Sequence, residues 1–258
     1  MKLFLKKHGF SIALATLAII CMVACWTVAW KIKGNELIVP APIKTLQSFF
    51  ALFAEGDFWS SLGLTLARTI SAVAISFALA LLCTVLGVIY SPFKSFFAPF
   101  IAVFRVVPTM AITLILYLAF PPDIIPIIVT SLVVFPMLYV NVTTAIDGID
   151  KGLLDMAKTY SLSRKTQLTR IVLPKIAPEI IFQLGTVISF ALKITISAEV
   201  LAISCRGIGD MISTANYWEE KATMAALTLV SVIVGLIIEL VFYVINKNSF
   251  KWRRVDAD

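Results

Sequence analysis

The chain has 258 residues, of which 60% are apolar and 14% are charged, and it carries a net charge of +7. Soluble domains contain about 45–50% apolar and about 25% charged residues, and one globular core cannot hide the excess found here. This composition excludes a disordered chain, a coiled coil and a disulfide-stapled secreted domain, and it indicates an integral membrane protein.

Cysteine and histidine exclude several kinds of site. The single histidine is His8, close to the N-terminus, so a histidine proton relay or a Ser–His protease within the membrane is excluded. The four cysteines show no metal-ligand spacing, which favours small buried hydrophobes; they are Cys21, Cys25, Cys83 and Cys205. We therefore predict no catalytic residues and no metal site.

Six stretches reach the length of about 20 mostly apolar residues that a membrane span needs. None shows the two-residue alternation of barrel strands, so we predict an all-α membrane protein with six transmembrane helices. The third stretch is expected to be broken at Pro99 and Pro108. In chain order the spans are Phe10–Trp30, Leu62–Tyr90, Phe96–Phe120, Ile124–Ala145, Ile176–Ile203 and Ala222–Ile245.

The first stretch has an alternative interpretation as a signal peptide. Three lysines precede it, and Met22–Cys25 is similar to a lipoprotein cleavage site. Its apolar run of about 20 residues is longer than the 7–15 of a signal core, and five further spans follow. We therefore expect a first helix that is retained.

Lysine and arginine counts predict the orientation. With the N-terminus inside, fourteen of the 22 fall in cytoplasmic segments and five in outer segments, while Arg68, Arg105 and Lys193 lie within spans. Because cytoplasmic loops carry the excess of positive charge, we expect both termini in the cytoplasm.

The connection between spans four and five, residues 146–175, is too long for a simple loop. Ile149, Leu153, Met156, Ala157 and Tyr160 recur at helical spacing. Ser163 is expected to cap a second short helix, and Pro174 to end it and start the next span. The segment either binds a partner or lies on the headgroups as an amphipathic helix pair.

A motif in this segment resembles the EAA motif of permease subunits of bacterial ABC importers. That motif reads Glu-Ala-Ala, three residues, Gly, nine residues, Ile-x-Leu-Pro, and its spacing is kept here throughout. Asp155, Met156 and Ser161 replace Glu, the first Ala and Gly, whereas the other matching positions are Ala157, Ile171, Leu173 and Pro174. We expect Asp155 to open a short helix, where the helix dipole favours an acidic residue.

Four further stretches are similar to the permeases of nitrate, sulfonate and taurine importers. They are Val39–Pro42, Arg105–Pro108, Phe135–Asp150, and Ala198-Glu199 with Gly207–Gly209. The resemblance implies a type I ABC importer permease fold whose cytoplasmic coupling helix-loop-helix docks on an ABC ATPase subunit. It also implies a second permease copy, an extracytoplasmic solute-binding protein and a place in the bacterial inner membrane.

The ATPase has to be another chain, because this sequence has no G-x-x-x-x-G-K-[ST] loop. ATP and Mg would thus be bound by the partner and no cofactor by this chain. The predicted parts are an N-terminal helix with an outer connection (1–57), a transmembrane core (58–250) and a cytoplasmic tail (251–258).

Polar residues inside the spans are candidates for the solute pathway. Thr186, Ser189, Lys193 and Ser197 share one face of span five, and Lys193 would attract an anion. Hydrogen bonding between helices is the alternative explanation for this stripe. Glu199 and Arg68 lie at similar depth and are expected to pair, although Glu199 could equally meet Arg206.

Two other classes of protein fit the sequence less well. A secondary transporter with two three-helix repeats is the alternative function, but the two halves show no internal similarity. A membrane enzyme would need a Ser–His pair or two intramembrane aspartates, which the spans lack. The solute is expected to be a nitrate, a sulfonate, taurine or a heterocyclic vitamin precursor.

Overall fold

A computed structural model describes residues 2–202 and 205–250, and all regular structure within these ranges is helical. The first half contains α1 (Lys2–Lys33), α2 (Pro42–Leu52), α3 (Gly56–Ile89), α4 (Ser91–Val106) and α5 (Thr109–Tyr117). The second half contains α6 (Ile125–Asp147), α7 (Lys151–Thr159), α8 (Arg164–Gln167), a π-helical turn (Leu168–Val172), α9 (Leu173–Leu201), α10 (Ile208–Tyr217) and α11 (Lys221–Ser249).

The helices confirm a multi-pass, all-α membrane protein. Within residues 2–202 and 205–250, five helices are long and apolar enough to cross a bilayer, and a bent helix pair brings the number to six. They match the predicted spans within a few residues at most ends, although α1 and α3 start earlier than predicted. Ile203, the predicted end of span five, and the predicted tail 251–258 lie outside the described residues.

The third span bends at one of its two prolines only. Its halves, Pro92–Val106 and Thr109–Tyr117, meet at 89°. Val107 and Pro108 between them have extended backbone. For Val107 the reason is that the α region is disfavoured for a residue before proline. The expected break at Pro99 is wrong, since Pro99 lies inside α4.

The chain divides into two compact units. The smaller combines Met1–Trp59 with Met211–Val230, and the larger combines Ser60–Asp210 with Ser231–Asp258. In the smaller unit, the indole N–H of Trp26 on α1 donates to the carbonyl of Pro40 at 3.1 Å, just before α2. This bond ties the first helix to the connection that follows it.

Helix α6 is the centre of the larger unit. Its apolar residues pack on α3, α4 and α9 in one cluster, and on α9 and α5 in a second cluster towards its N-terminus. A buried hydrogen bond of 3.0 Å joins the hydroxyls of Thr130 on α6 and Thr195 on α9. The α6 members of the clusters are Ile125, Val129, Val134, Phe135, Leu138 and Tyr139. One face of α9 is therefore fixed against α6.

Candidate functional site

The coupling segment starts with α7, which is capped by an aspartate other than the predicted one. Asp150 lies just before the helix, and its Oδ1 accepts the N–H of Gly152 at 2.9 Å. Asp155 lies in the second turn, so the expectation that it opens the helix is wrong. The helix dipole acts mainly within the first turn, and it therefore favours Asp150 more than Asp155.

Helix α7 ends at Thr159 and is followed by a left-handed turn at Ser161. Ser161 has a φ of 52°, and the N–H of Leu162 donates to the carbonyl of Ala157 at 3.0 Å. This six-to-one bond closes a Schellman motif, in which the left-handed position is usually glycine. Ser161 stands where the EAA motif has glycine, so the sharp turn is kept although the glycine is not.

The predicted apolar face of α7 divides into a buried and an exposed part. Ile149 and Ala157 are buried, whereas Leu153, Met156 and Tyr160 remain exposed at 37%, 49% and 73%. Further along the segment, Ile171 is half-buried, and both Leu173 and Pro174 are exposed. Exposed large apolar side chains of this kind are typical of a surface that binds another protein.

The second short helix begins as predicted but does not end as predicted. The N–H of Thr166 donates to Oγ of Ser163 at 3.2 Å, which confirms the cap. The chain then stays helical through Pro174, so the predicted stop there is wrong, whereas α9 begins at Leu173 with Pro174 in its first turn, which confirms that the next span starts there. Since Pro174 has no N–H to donate, the preceding turn widens: the N–H of Leu173 bonds the carbonyl of Leu168, five residues back.

The predicted polar stripe lies on the surface of α9 that α6 does not cover. Thr186, Lys193 and Ser197 are exposed in the single chain, and Ser189 is half-buried beside Gly235 of α11. The ammonium of Lys193 lies 5.6 Å from the ring centroid of Phe190. Helix α9 thus has an apolar face packed on α6 and an uncovered polar face.

A mainly apolar groove lies between α9 and α11 beside this polar face. It has a volume of about 330 Å³ and is lined by Thr186 of the stripe and by Glu239. Within the described part of the chain, Glu239 has no ion-pair partner. Glu239 falls within the sixth predicted span, but only its place beside Thr186 connects it with the stripe.

The predicted pair of Arg68 and Glu199 is present and almost fully buried. Nη1 of Arg68 donates to Oε1 of Glu199 at 2.8 Å, and the Glu199 side chain is 0% exposed. The hydroxyl of Thr65, one turn before Arg68, lies 2.8 and 3.0 Å from the two carboxylate oxygens. Neither Arg68 nor Glu199 therefore lies on the exposed stripe.

The network contains more groups than the sequence predicted. Nη2 of Arg68 donates to Oδ1 of Asp123 at 2.7 Å, and its Nη1 also donates to the carbonyl of Arg206. Arg206 thus joins the network through its backbone. The sequence pattern does not indicate Asp123, because it falls in the short connection between the third and fourth predicted spans and has no helical position to compare with that of Arg68.

Two backbone N–H groups at the start of α10 complete the network. The N–H of Gly209 donates to Oε2 of Glu199 at 3.0 Å, and that of Ile208 donates to the hydroxyl of Thr65 at 2.9 Å. The first N–H groups of a helix have no partner within it, and the positive end of its dipole favours a carboxylate. Glu199 and Thr65 therefore cap α10 from two other helices.

Cys205 is enclosed beside this network. It is fully buried, and burial raises the pKa of its thiol to about 11, with Arg68 opposing the rise and the nearby carboxylates adding to it. Burial likewise raises the pKa of Asp210, an effect that Arg206 opposes. At neutral pH the Cys205 thiol is protonated and shielded, so it is unreactive in this conformation.

Known proteins resemble this chain along most of its length. A protein of Bacillus subtilis (strain 168), named as the aliphatic sulfonates transport permease SsuC, is 23% identical over 250 residues, which cover 96% of this chain and 90% of that protein. Its namesake in Escherichia coli (strain K12) is 22% identical over 233 residues, covering 90% and 88%.

Solved structures show the same fold. A bacterial ABC transporter involved in alginate import matches with a TM-score of 0.66 at 17% identity, over 94% of this chain and 96% of that one. An amino acid ABC transporter matches with a TM-score of 0.65 at 15% identity, over 79% and 96%. Residues 84–253 match the family described as the inner membrane component of binding-protein-dependent transport systems. The chain belongs to this family.

Proposed function

We propose that the chain is the membrane-spanning permease subunit of an ATP-driven importer that moves a small organic anion, of the aliphatic sulfonate class, into the cell. The family supports the transport function. The names of two relatives support the solute class, since both refer to aliphatic sulfonates.

The observation that carries the proposal is the uncovered polar face of α9. A cation at membrane depth on a lipid-facing surface is costly, and Lys193 is exposed on the single chain. This face is therefore not expected to meet lipid. A water-filled pathway would keep Lys193 solvated, and its charge would attract an anionic solute.

A second copy of the chain would cover the polar face of α9. The exposed stripe and the neighbouring groove with Glu239 would otherwise both present polar groups to lipid. Two permeases that face each other across the pathway would enclose these groups. The proposed assembly is thus a homodimer with Thr186, Ser189, Lys193 and Ser197 lining the passage.

The ATPase is proposed to dock on residues 150–174. The exposed side chains of Leu153, Met156 and Tyr160 supply an apolar contact surface there, and Asp155 supplies a negative charge. ATP and Mg would be bound by that partner. A solute-binding protein, in keeping with the family description, would deliver the anion at the opposite side of the membrane.

The orientation is tested by cysteine labelling. With both termini in the cytoplasm, Gly56 lies outside and Lys165 inside, and both positions have room for a reagent. A membrane-impermeant thiol reagent applied to intact cells should modify Gly56→Cys and spare Lys165→Cys, in a chain without its native cysteines. The reverse pattern would place the coupling segment outside and contradict the proposed docking.

The function is tested by reconstitution. The permease, its ATPase and its binding protein are placed in liposomes, and ATP-dependent uptake of a radiolabelled alkanesulfonate is measured. Uptake should require all three proteins, and unlabelled alkanesulfonate should compete while a neutral alkanol of equal length should not. Equal competition by the alkanol would contradict an anion pathway.

A further inference from the structure

Arg105 is a cation of the third span that the polar stripe of α9 does not include. It lies in the last turn of α4, just before the bend at Val107 and Pro108, and it is exposed in the single chain. Within the described residues, no carboxylate forms an ion pair with it. A cation inside a span is costly unless water or an anion reaches it, so Arg105 presents the same question as Lys193.

The depth of Arg105 follows from the packing of α4 on α6. The ring of Phe97 lies 6.1 Å from that of Phe135 and 5.8 Å from that of Tyr139, between centroids. The two helices belong to successive spans and run in opposite directions. Arg105 follows Phe97 by eight residues, a rise of about 12 Å, and therefore lies at about the level of Val129.

Lys193 lies at nearly the same depth. The hydroxyls of Thr130 on α6 and Thr195 on α9 are 3.0 Å apart, which aligns these two helices. Lys193 precedes Thr195 by two residues, so it lies about 3 Å from this level. Counted along α6, the positions of Arg105 and Lys193 differ in depth by about three residues, or about 4.5 Å.

The face of α4 that carries Arg105 can be located from a second cation on the same helix. Lys94 precedes Arg105 by eleven residues, which is about three helical turns, so the two share one face. Lys94 pairs with Asp147 of α6 at 2.7 Å. Asp147 shares a face of α6 with Val129, because the eighteen residues between them make about five turns.

This face of α6 carries one border of the stripe. Val129 packs in a cluster with Ile112 and Leu116 of α5 and with Phe190 of α9. The ammonium of Lys193 lies 5.6 Å from the centroid of the Phe190 ring. Helix α5 therefore borders the stripe on one side, while α11 borders it on the other. The cation at the end of α4 and the cation of the stripe thus lie on the same side of α6.

We propose that Arg105 and Lys193 together form a binding site for the sulfonate group of the solute, in the trough between α5 and α11. The proposal rests on the proposed function for the solute, and it adds the bend of the third span to the pathway. A sulfonate has three oxygens arranged as in a phosphate, and a guanidinium binds such a group through two parallel N–H donors. The ammonium would bind the third oxygen.

The charges around the trough favour an anion at this level. Two neighbouring cations repel each other when they are shielded from bulk water, and a bound anion offsets that repulsion. The carboxylate of Glu239 lies lower in the trough, beside Thr186. Thr186 is seven residues from Lys193, which is about 10.5 Å along α9. The cationic level of the trough is thus separate from its acidic level.

The helix dipole offers a different reason for Arg105. A cation in the last turn of a helix is favourable there, and Arg105 lies in the last turn of α4. This explanation needs no relation between Arg105 and Lys193. The two explanations therefore differ in whether both charges act on the same space.

A cysteine at position 106 measures the electrostatic potential of that space. Val106 is next to Arg105, carries no charge and is 81% exposed in the single chain. Val106→Cys is introduced into a chain without native cysteines and reconstituted with the ATPase and the binding protein. It is labelled with sulfonatoethyl methanethiosulfonate, an anion, and with trimethylammonioethyl methanethiosulfonate, a cation. Comparing the ratio of the two rates between variants cancels the intrinsic reactivity of the reagents.

Both charges should contribute to this ratio. Arg105→Gln and Lys193→Met should each lower the anion-to-cation ratio about tenfold, because a cleft lined by one sign of charge concentrates counter-ions. Arg105→Lys should keep the ratio. Lys94→Gln is the matched control, since it removes a cation from the same face of α4 about 16 Å away, and it should leave the ratio unchanged.

Uptake and protection test the solute itself. An excess of alkanesulfonate should slow the labelling of Val106→Cys by the anionic reagent, and Arg105→Gln should abolish this protection. Uptake of radiolabelled alkanesulfonate should fall about tenfold in Arg105→Gln, in proportion to the lost concentration of the anion. Arg105→Lys should lose less, because it keeps the charge but not the paired donors.

Two results would overturn the site. One is a Val106→Cys transporter that is active but reacts with neither reagent in any nucleotide state, as burial in lipid or between helices would give. The other is a ratio that Lys193→Met leaves unchanged, as a dipole role of Arg105 alone would give. If both substitutions lower the ratio but no alkanesulfonate is imported or protects, the proposed solute is wrong and a site for another anion is supported.

Discussion

Glu199 and Gly209 fit together without room for a side chain on the glycine. The carboxylate accepts the Gly209 N–H at 3.0 Å, and a Cβ at that position would lie 2.5 Å from the carbonyl oxygen of Ile196 and 2.7 Å from the amide nitrogen of Val200. Both of the latter are backbone atoms of α9, so no rotamer change can relieve the contact.

We therefore expect Gly209→Ala to destabilise the folded protein by about 2 kcal/mol, since inserting a methyl group into a tight site forces the backbone to shift. Thermal unfolding of the purified permease in detergent measures the change. Gly63→Ala is the control, because nothing lies within 4 Å of that position on α3. A Gly209→Ala protein as stable as the control would refute this packing.

Ser161→Gly should stabilise the coupling segment. The left-handed conformation costs a residue with a Cβ about 1 kcal/mol, and Ser161 has a φ of 52°. Slower amide hydrogen exchange across residues 151–167 is the expected result. Ser161→Val should speed exchange instead, because a β-branched residue fits this region poorly, and equal exchange in both variants would contradict the prediction.

Asp155→Lys should weaken ATPase binding about tenfold, which corresponds to about 1.4 kcal/mol. The reason is charge reversal at a surface proposed to meet a basic groove on the partner. Co-purification of the two subunits at graded salt concentrations measures it. Asp147→Lys places the same charge at the end of α6, outside residues 150–174, and should bind normally; equal weakening in both variants would place docking elsewhere.

Lys193→Met should reduce uptake about tenfold while expression and ATPase binding stay normal, because it removes the charge and keeps the length of the side chain. Unchanged uptake would assign the stripe to helix packing. In a chain without native cysteines, Ser197→Cys should react with a water-soluble thiol reagent faster than Ser189→Cys, which packs beside Gly235. Thr195→Cys, on the buried face, should not react.

The sequence predicted those features that depend on local pattern and composition. The spans follow from runs of apolar residues, and the cap at Ser163 follows from residue type and position. The depth of Arg68 and Glu199 could be counted along their helices, which was sufficient to pair them. Asp123 could not be assigned in this way, because its contact with Arg68 depends on how the α5–α6 connection folds back.

The prolines show that residue type alone does not determine the local backbone structure. Pro99, Pro108 and Pro174 each lack a backbone N–H, yet the chain continues through a helix at Pro99, bends by 89° at Pro108 and forms a π-helical turn before Pro174. The same covalent constraint thus has three outcomes. All three prolines are exposed in the single chain, and the outcome at each cannot be read from the proline alone.

Because the helix continues through Pro174, residues 164–201 form one continuous helical segment. At 1.5 Å per residue it is about 57 Å long, with Ser163 at one end and Glu199 at the other. A displacement applied to the cytoplasmic end by a partner would pass first through the wide π-helical turn at Leu168–Val172, which lies between Ser163 and the part of α9 that packs on α6. The stiffness of that one turn would therefore determine how far a movement of the ATPase displaces Lys193 and how far it only bends the helix.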